Sequence, residues 1–283
     1  MKTHALLLLA GVMAIVSCKE QPYDLTEHLG CCASADEAQL LADAGFAYQE
    51  ISIGAFLMPE ASDGEFAANL AWAKTGPLPI ISGNGYYPAS IKLTGPEADL
   101  ERALNYARTA ITRAEQVGLE YMVLGSGGAR EIPEGFPYEE AEAQFVQLLK
   151  EMGPIAAGHG ITIVIEPLRT QETNFINSVR EGTAICRKVG HPNVCVLADF
   201  YHMAQVGEDA GAIVEAGSLL RHCHIAECGE RTAPGVKGDD FTPYFKALKK
   251  IGYTGNISIE CGWEDEQLAP ALAEMKRQIN SIN

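Results

Sequence analysis

The chain has 283 residues, 47% of them hydrophobic and 7% aromatic. It is long enough to bury a large core without cross-links, and too apolar and periodic to be a disordered chain. Its 21 Lys and Arg against 37 Asp and Glu give a net charge of −16, which argues against a broad basic surface for nucleic acid or for an anionic membrane.

The N-terminus is read first. Lys2 precedes a wholly apolar run, Ala5–Val16, of a length that suits the core of a signal peptide and is too short to span a bilayer. The run ends Ser17-Cys18, a small residue before a cysteine with an aliphatic residue three positions ahead of it. The segment resembles a bacterial lipoprotein signal. The resemblance implies a signal peptide over residues 1–17, acylation of Cys18, a lipidated tether over residues 18–27 and a domain over residues 28–283. It also implies an extracytoplasmic protein, in the periplasm or at the cell surface, touching the membrane only through its lipid anchor. The other seven cysteines lie mostly in or beside apolar runs, and no CxxC pair supports a zinc knuckle or a redox motif.

After the tether, short β-branched runs alternate with longer helical patterns. The spacing predicts strands at His28–Cys31, Ala47–Ile53, Leu78–Gly83, Tyr121–Gly125, Ile161–Glu166, Val194–Asp199, Leu220–Ala226 and Ile257–Cys261. ITIVIE and VCVLAD are nearly continuous apolar runs, as strands covered on both faces should be. Helices are predicted at Ser34–Ala44, opening on a Ser34/Glu37 capping box, and at Glu65–Lys74, Glu97–Val117, Tyr138–Ala157, Ser178–Val189, Asp209–Ala216, Thr242–Ile251 and Asp265–Ile279. Strict β-α alternation through eight units predicts one α/β domain, a (β/α)8 TIM barrel, with function carried where the strands end.

Four successive strands bring ionisable residues to those ends: Glu166, Asp199, the pair His222 and His224, and Glu260. In a closed barrel they converge on one mouth. Three carboxylates and an imidazole there would repel unless a divalent cation neutralised them. The mixed O/N set suits one ion of Mn²⁺, Co²⁺, Zn²⁺ or Mg²⁺. Any of these residues alone is as well explained by capping or core packing; four at the same depth in consecutive strands are not.

These motifs resemble the xylose isomerase-like barrels of sugar isomerases and epimerases, over about residues 28–280. The D-tagatose/D-psicose 3-epimerase branch shows the nearest set: Ile165-Glu166-Pro167-Leu168, Asp199-Phe200-Tyr201-His202, His222-Cys223-His224-Ile225-Ala226-Glu227, Arg231-Thr232-Ala233-Pro234-Gly235 and Ile259-Glu260. The resemblance implies that Glu166, Asp199, His224 and Glu260 bind the metal and that Glu166 and Glu260 form the acid/base pair. It further implies substrate contacts from His202 and Arg231. Glu172, on the loop after Glu166, is a candidate to bind sugar hydroxyls, together with Thr173 and Asn174.

The expected chemistry is proton abstraction next to a sugar ketone, giving an enediolate and then an epimer or isomer. The same enediolate on a 3-keto-glycoside could instead expel the aglycone, a lyase reaction that an extracytoplasmic location makes relevant. A sugar-binding lipoprotein on an inactive barrel would need no acid/base pair. A DNA-repair barrel would need more histidines and a basic face. Gly125–Arg130 can be read as a phosphate cradle but fits a flexible βα turn better. Tyr86, Tyr87 and Trp263 can be read as sugar-stacking or as packing residues. The partner expected is a small sugar or keto-glycoside, not nucleic acid; self-association into a homo-oligomer is left open.

Acylation is directly testable. Cys18→Ala should release the mature chain from membranes on fractionation, and a variant that stays with the membrane fraction would contradict the anchor.

Overall fold

Eight strands alternate with helices in the computed structural model, which describes residues 23–282. The signal segment and Cys18 lie outside the described residues. The strands are β1 (Leu29–Cys32), β2 (Tyr48–Ser52), β3 (Ile80–Asn84), β4 (Tyr121–Leu124), β5 (Thr162–Ile165), β6 (Val194–Asp199), β7 (Leu220–Ile225) and β8 (Asn256–Ile259). All neighbours pair in parallel, and β8 closes on β1 through Leu29 opposite Ile257 and Cys31 opposite Ile259. This is the expected (β/α)8 barrel in a single domain.

The helices are α1 (Ala38–Ala44), α2 (Asp63–Ala73), α3 (Leu100–Val117), α4 (Gly127–Arg130), α5 (Tyr138–Gly158), α6 (Val179–Val189), α7 (Phe200–Gln205), α8 (Gly211–Ala216), α9 (Thr242–Lys250) and α10 (Asp265–Ser281). The local chemistry explains their ends. The Ser34/Glu37 box is formed, but it opens a 3₁₀ turn at Ala35–Glu37 that leads into α1. α3 starts at Leu100 rather than Glu97 because Asp99 accepts from the Arg102 amide at 3.0 Å, and Gly118 ends it with φ +91°. Two short helices, α4 and α7, are not foreshadowed by any helical pattern in the sequence. Among the described residues no helix is long and apolar enough to cross a membrane.

Strand periodicity then sorts the side chains. One set faces the helices and joins the main core, including Met122, Ile163, Ile165, Val196, Ala198, Cys223, Ile257 and Ile259. The alternate set faces the lumen. Toward β4–β6 the lumen is apolar, filled by Val123, Val164, Cys195 and Leu197. Toward β2, β3, β7 and β8 it is polar, with Tyr48, Glu50, Ser82, His222, His224 and Ser258 in one buried network. One step further along the same inward rows come Cys32, Asn84, Gly125, Glu166, Asp199 and Glu260, at the mouth formed by the strands' C-terminal ends.

The opposite, N-terminal face is closed by residues that the sequence assigns to the end of the tether. Asp24 caps a 3₁₀ turn at Leu25–Glu27, the Tyr23 ring stacks on His28 with centroids 4.4 Å apart, and the Tyr23 hydroxyl donates to the Gly255 carbonyl. Residues 23–27 therefore pack on the barrel floor.

Inside the lumen Gly30 meets the Tyr48 ring. A Cβ at position 30 would lie 2.3 Å from Tyr48 Cζ, and Tyr48 is held by its hydroxyl on Ser258. Gly30→Ala should therefore cost about 1–3 kcal/mol by overpacking. For a domain of this size that lowers the melting temperature by roughly 2–4 °C per kcal/mol, readable in a thermal melt. An unchanged melting temperature would show that the ring can move aside.

Candidate metal centre

Glu166 and Glu260 follow directly on β5 and β8, Asp199 ends β6, and His224 sits one residue from the end of β7. Each is the next inward position of its row, which is why all four meet. One ligand atom from each of the four lies within 4.8 Å of every other. His224 Nδ1 stands 2.9 Å from Glu166 Oε1 and 3.3 Å from Glu260 Oε2. The residues expected to bind a metal are thus brought together.

The donor set fits a divalent cation on its own chemistry. Asp199 divides its two oxygens: Oδ1 caps α7 by accepting from the Tyr201 amide at 2.8 Å and the His202 amide at 3.4 Å. Oδ2 is buried and has no hydrogen-bond partner. A buried carboxylate oxygen without a partner costs on the order of several kcal/mol unless a cation meets it. Glycine at 125 leaves room for the Glu166 carboxylate, since a Cβ there would lie 2.3 Å from Glu166 Oε2 and push it aside. Three carboxylates with one imidazole suit Mn²⁺, Co²⁺, Zn²⁺ or Mg²⁺. A second group, Cys32, Glu50 and His224, is also close enough to hold an ion. It is the poorer candidate, because both Glu50 oxygens are already hydrogen-bonded and it shares His224.

Crowding sets the proton affinities. Burial and the neighbouring Glu260 raise Glu166. Burial and Glu260 raise Asp199 to about 6, against the opposing pull of His224 and Arg231. For Glu260 burial is outweighed by His224 and Arg231, which hold it down to about 2. Burial of His224 is outweighed by Glu50, Glu260 and Glu166, which raise it well above the ordinary imidazole value. Burial lowers His202. Its Nδ1 accepts from the Arg169 amide at 3.2 Å, so the neutral ring carries its proton on Nε2, which has no hydrogen-bond partner and lies 3.5 Å from Asp199 Oδ2.

Arg231 stands over the cluster. Its Nη2 donates to Glu260 Oε2 at 2.5 Å and lies 3.6 Å from Asp199 Oδ2, with the guanidinium 4.7 Å above the Tyr201 ring. Its backbone is left-handed, φ +52°. Glu227, the last residue of the HxHxxE motif, makes that loop possible. Its carboxylate accepts from the amides of Gly235, Lys237, Gly238 and Asp239 and from the Thr232 hydroxyl. Glu172 reaches the site only through arginines, at 2.7 Å from Arg169 Nε and 3.9 Å from Arg231 Nη1.

Several expectations from the sequence change. Gly125–Arg130 is neither a phosphate cradle nor a flexible turn. It contains α4, and the fully buried Arg130 guanidinium donates to the carbonyls of Leu124, Glu166 and Ile176, clamping the ends of β4 and β5. Asn174 does not face the site; it pairs with both the amide and the carbonyl of Ile132, at 2.8 Å each, and staples two βα loops. Thr173 is buried beneath that loop. Tyr86 and Tyr87 are core residues, whereas Trp263 is half-buried at the mouth with its indole N–H 3.5 Å from the Cys32 carbonyl. All seven described cysteines are free. The residues that sequence reasoning missed are Glu50, which sits in Tyr48-Gln49-Glu50-Ile51-Ser52 with no motif to single it out, and Asn84, which donates to Glu260 Oε1 at 3.2 Å.

Residues 38–281 match the model of the xylose isomerase-like TIM barrel family. The chain belongs to that family. Within it, the chain is 36% identical to a D-psicose 3-epimerase of Ruminiclostridium cellulolyticum, over 41% of this chain and only 39% of that relative's length. It is 29% identical to a D-psicose 3-epimerase of Agrobacterium fabrum over 84% of this chain and 82% of the relative. The barrel superposes on the crystal structure of D-psicose 3-epimerase from Clostridium cellulolyticum H10, solved with D-tagatose, with a TM-score of 0.76. That superposition covers 89% of this chain and 98% of the other at 22% identity, a likeness of fold.

Metal binding at this cluster should depend on pH with a definite sign. Asp199 holds its proton up to about 6, and His224 is raised above the ordinary value, so a cation must displace protons. In a Mn²⁺ titration of the purified protein, affinity should rise as pH is raised through about 6, by up to about tenfold per pH unit for each proton displaced. A flat profile would place the ion elsewhere.

Proposed function

We propose that this protein is a divalent-metal-dependent sugar epimerase that inverts the carbon next to a ketone, with a ketose as substrate and C3 as the carbon inverted. The observation that carries the reading is the pair Glu166 and Glu260, two carboxylates from different strands held with Asp199 and His224 at one polar mouth, one ligand atom of each within 4.8 Å of the others. A carboxylate pair at one site can divide into a base and an acid. Relatives named as D-psicose 3-epimerases support the same class and favour epimerisation over elimination from a keto-glycoside.

Glu166, Asp199, His224 and Glu260 would hold the ion. A bound divalent cation polarises the ketone and its neighbouring hydroxyl, acidifying the carbon between them. Glu260, held ionised by His224 and Arg231, takes that proton from one face of the sugar. Glu166 returns a proton to the other face; the reverse reaction exchanges the roles. His202 offers its free Nε2–H to a substrate oxygen, and Arg231 offers its guanidinium across the mouth. Glu172 acts by holding Arg169 and Arg231 in place. Beside the cluster lies a cavity of about 330 Å³ lined by Cys32, Ala33, Glu50, Phe56, Asn69 and Asn84, within the range of small-ligand pockets. The N-terminal segment further supports an exported protein anchored through acylated Cys18, which would meet free sugars outside the cytoplasm.

The test is incubation with ketohexoses and, separately, with 3-keto-glucosides at saturating Mn²⁺, followed by product identification. A C3 epimer of the ketohexose is expected; a released aglycone would replace this reading with the elimination. Glu166→Gln and Glu260→Gln should each lower kcat by roughly 10²–10⁴ at saturating metal. Near-parental turnover by both variants would leave these carboxylates a binding role only.

A further inference from the structure

Glu50 has hydrogen-bond partners on both carboxylate oxygens, and the reaction above does not use it. It projects from β2 into the lumen and is completely buried. Its Oε1 lies 2.9 Å from His224 Nε2. Its Oε2 takes His222 Nε2 at 2.8 Å, the Ser82 hydroxyl at 2.6 Å and the Ser258 hydroxyl at 2.7 Å. Ser258 is held in turn by Tyr48, and the His222 ring stacks on Tyr121 with centroids 5.5 Å apart. Four strands thus converge on one carboxylate, whose position is fixed by partners on both oxygens.

We propose that Glu50 is a positioning residue that decides which nitrogen of His224 serves the metal centre; the inference rests on the metal-centre reading above. An ionised carboxylate only accepts hydrogen bonds, so the proton between Glu50 and His224 belongs to Nε2. The neutral ring then has its lone pair on Nδ1. That nitrogen is the one aimed into the cluster, at 2.9 Å from Glu166 Oε1 and 3.3 Å from Glu260 Oε2. The opposite tautomer would put N–H where a cation must be met and set a nitrogen lone pair against an oxygen lone pair at Glu50. Carboxylate partners of this kind orient ligating imidazoles and raise their basicity. His222, two residues earlier on the same inward row, binds the other Glu50 oxygen and so fixes the carboxylate's plane. This gives the first histidine of the HxH motif a task distinct from ligation.

The test compares Zn²⁺ affinity in the parent, Glu50→Gln and Ser82→Ala, with imidazole ¹⁵N spectra of the Zn²⁺-loaded parent. Gln keeps the volume but presents one acceptor and one donor to two histidines that both need an acceptor. Ser82 touches Glu50 without touching His224. Glu50→Gln should weaken Zn²⁺ binding about 10–100-fold, the effect expected from losing such a partner. Ser82→Ala should change it less than about threefold even where it lowers the melting temperature. The parent's spectrum should show one histidine with zinc on Nδ1 and a proton on Nε2. Parental Zn²⁺ affinity in Glu50→Gln, or a zinc-bound histidine protonated on Nδ1, would overturn the inference and leave the metal centre standing. Absence of Zn²⁺ binding by the parent would overturn both. If Glu50→Gln does not fold, the parent's spectrum alone decides.

Discussion

Three carboxylates and an imidazole bring ligand atoms within 4.8 Å of one another at the end of an otherwise close-packed barrel. Breaking a buried charge pair costs on the order of 3–5 kcal/mol, a sizeable fraction of a domain's stability, so this concentration of charge has to be compensated. His224 is the centre of that compensation. It meets Glu50 on one nitrogen and Glu166 and Glu260 on the other, and Arg231 adds a second positive group over Glu260 and Asp199. Asp199 Oδ2 is a buried oxygen of the cluster that no hydrogen bond satisfies, with Arg231 Nη2 no nearer than 3.6 Å, and it is where the case for a further cation is strongest.

The rest of the mouth keeps these groups still. Arg130 ties the carbonyl of Glu166 to that of Leu124, so the first of the site carboxylates is fixed through its own backbone. Glu227 gathers four amides of the loop after β7 and thereby holds Arg231 in its left-handed turn. Asp199 is both the cap of α7 and a member of the cluster, so the helix that carries Tyr201 and His202 starts at the site. Charged groups of the same kind therefore do two different things here: Arg130 and Glu227 hold backbone atoms and shape loops, whereas Glu166, His224 and Glu260 meet one another in the cluster. The opposite face carries none of this machinery; there Tyr23, His28 and the chain before β1 close the floor.

The barrel was legible because its signal is repetitive. Apolar strands alternate with helical segments eight times, and each of the last four strands carries an ionisable residue at or beside its C-terminal end. Glu166, Asp199, His224 and Glu260 stand out for that reason, since burying an acid or a histidine at the end of an apolar run is costly unless a partner waits there. The period of two likewise put His222 and His224 on one face of their strand.

Which groups meet across the lumen leaves no such trace. Glu50 lies more than a hundred residues from the cluster, inside a strand with no distinguishing pattern, and only closure of the barrel sets it against His222 and His224. The sequence put Arg130 in a phosphate cradle or flexible turn and Asn174 among candidates for sugar hydroxyls, yet tertiary packing turns both onto backbone groups of neighbouring loops and strand ends. Tyr86 and Tyr87 lie in the core instead, their rings stacked on each other with centroids 4.8 Å apart. Period, strand ends and the kinds of ligand are thus written along the chain. Their partners were settled by folding in three dimensions, because hydrogen-bond acceptors and charges are shared through space and local periodicity does not record where the other side of a barrel will be.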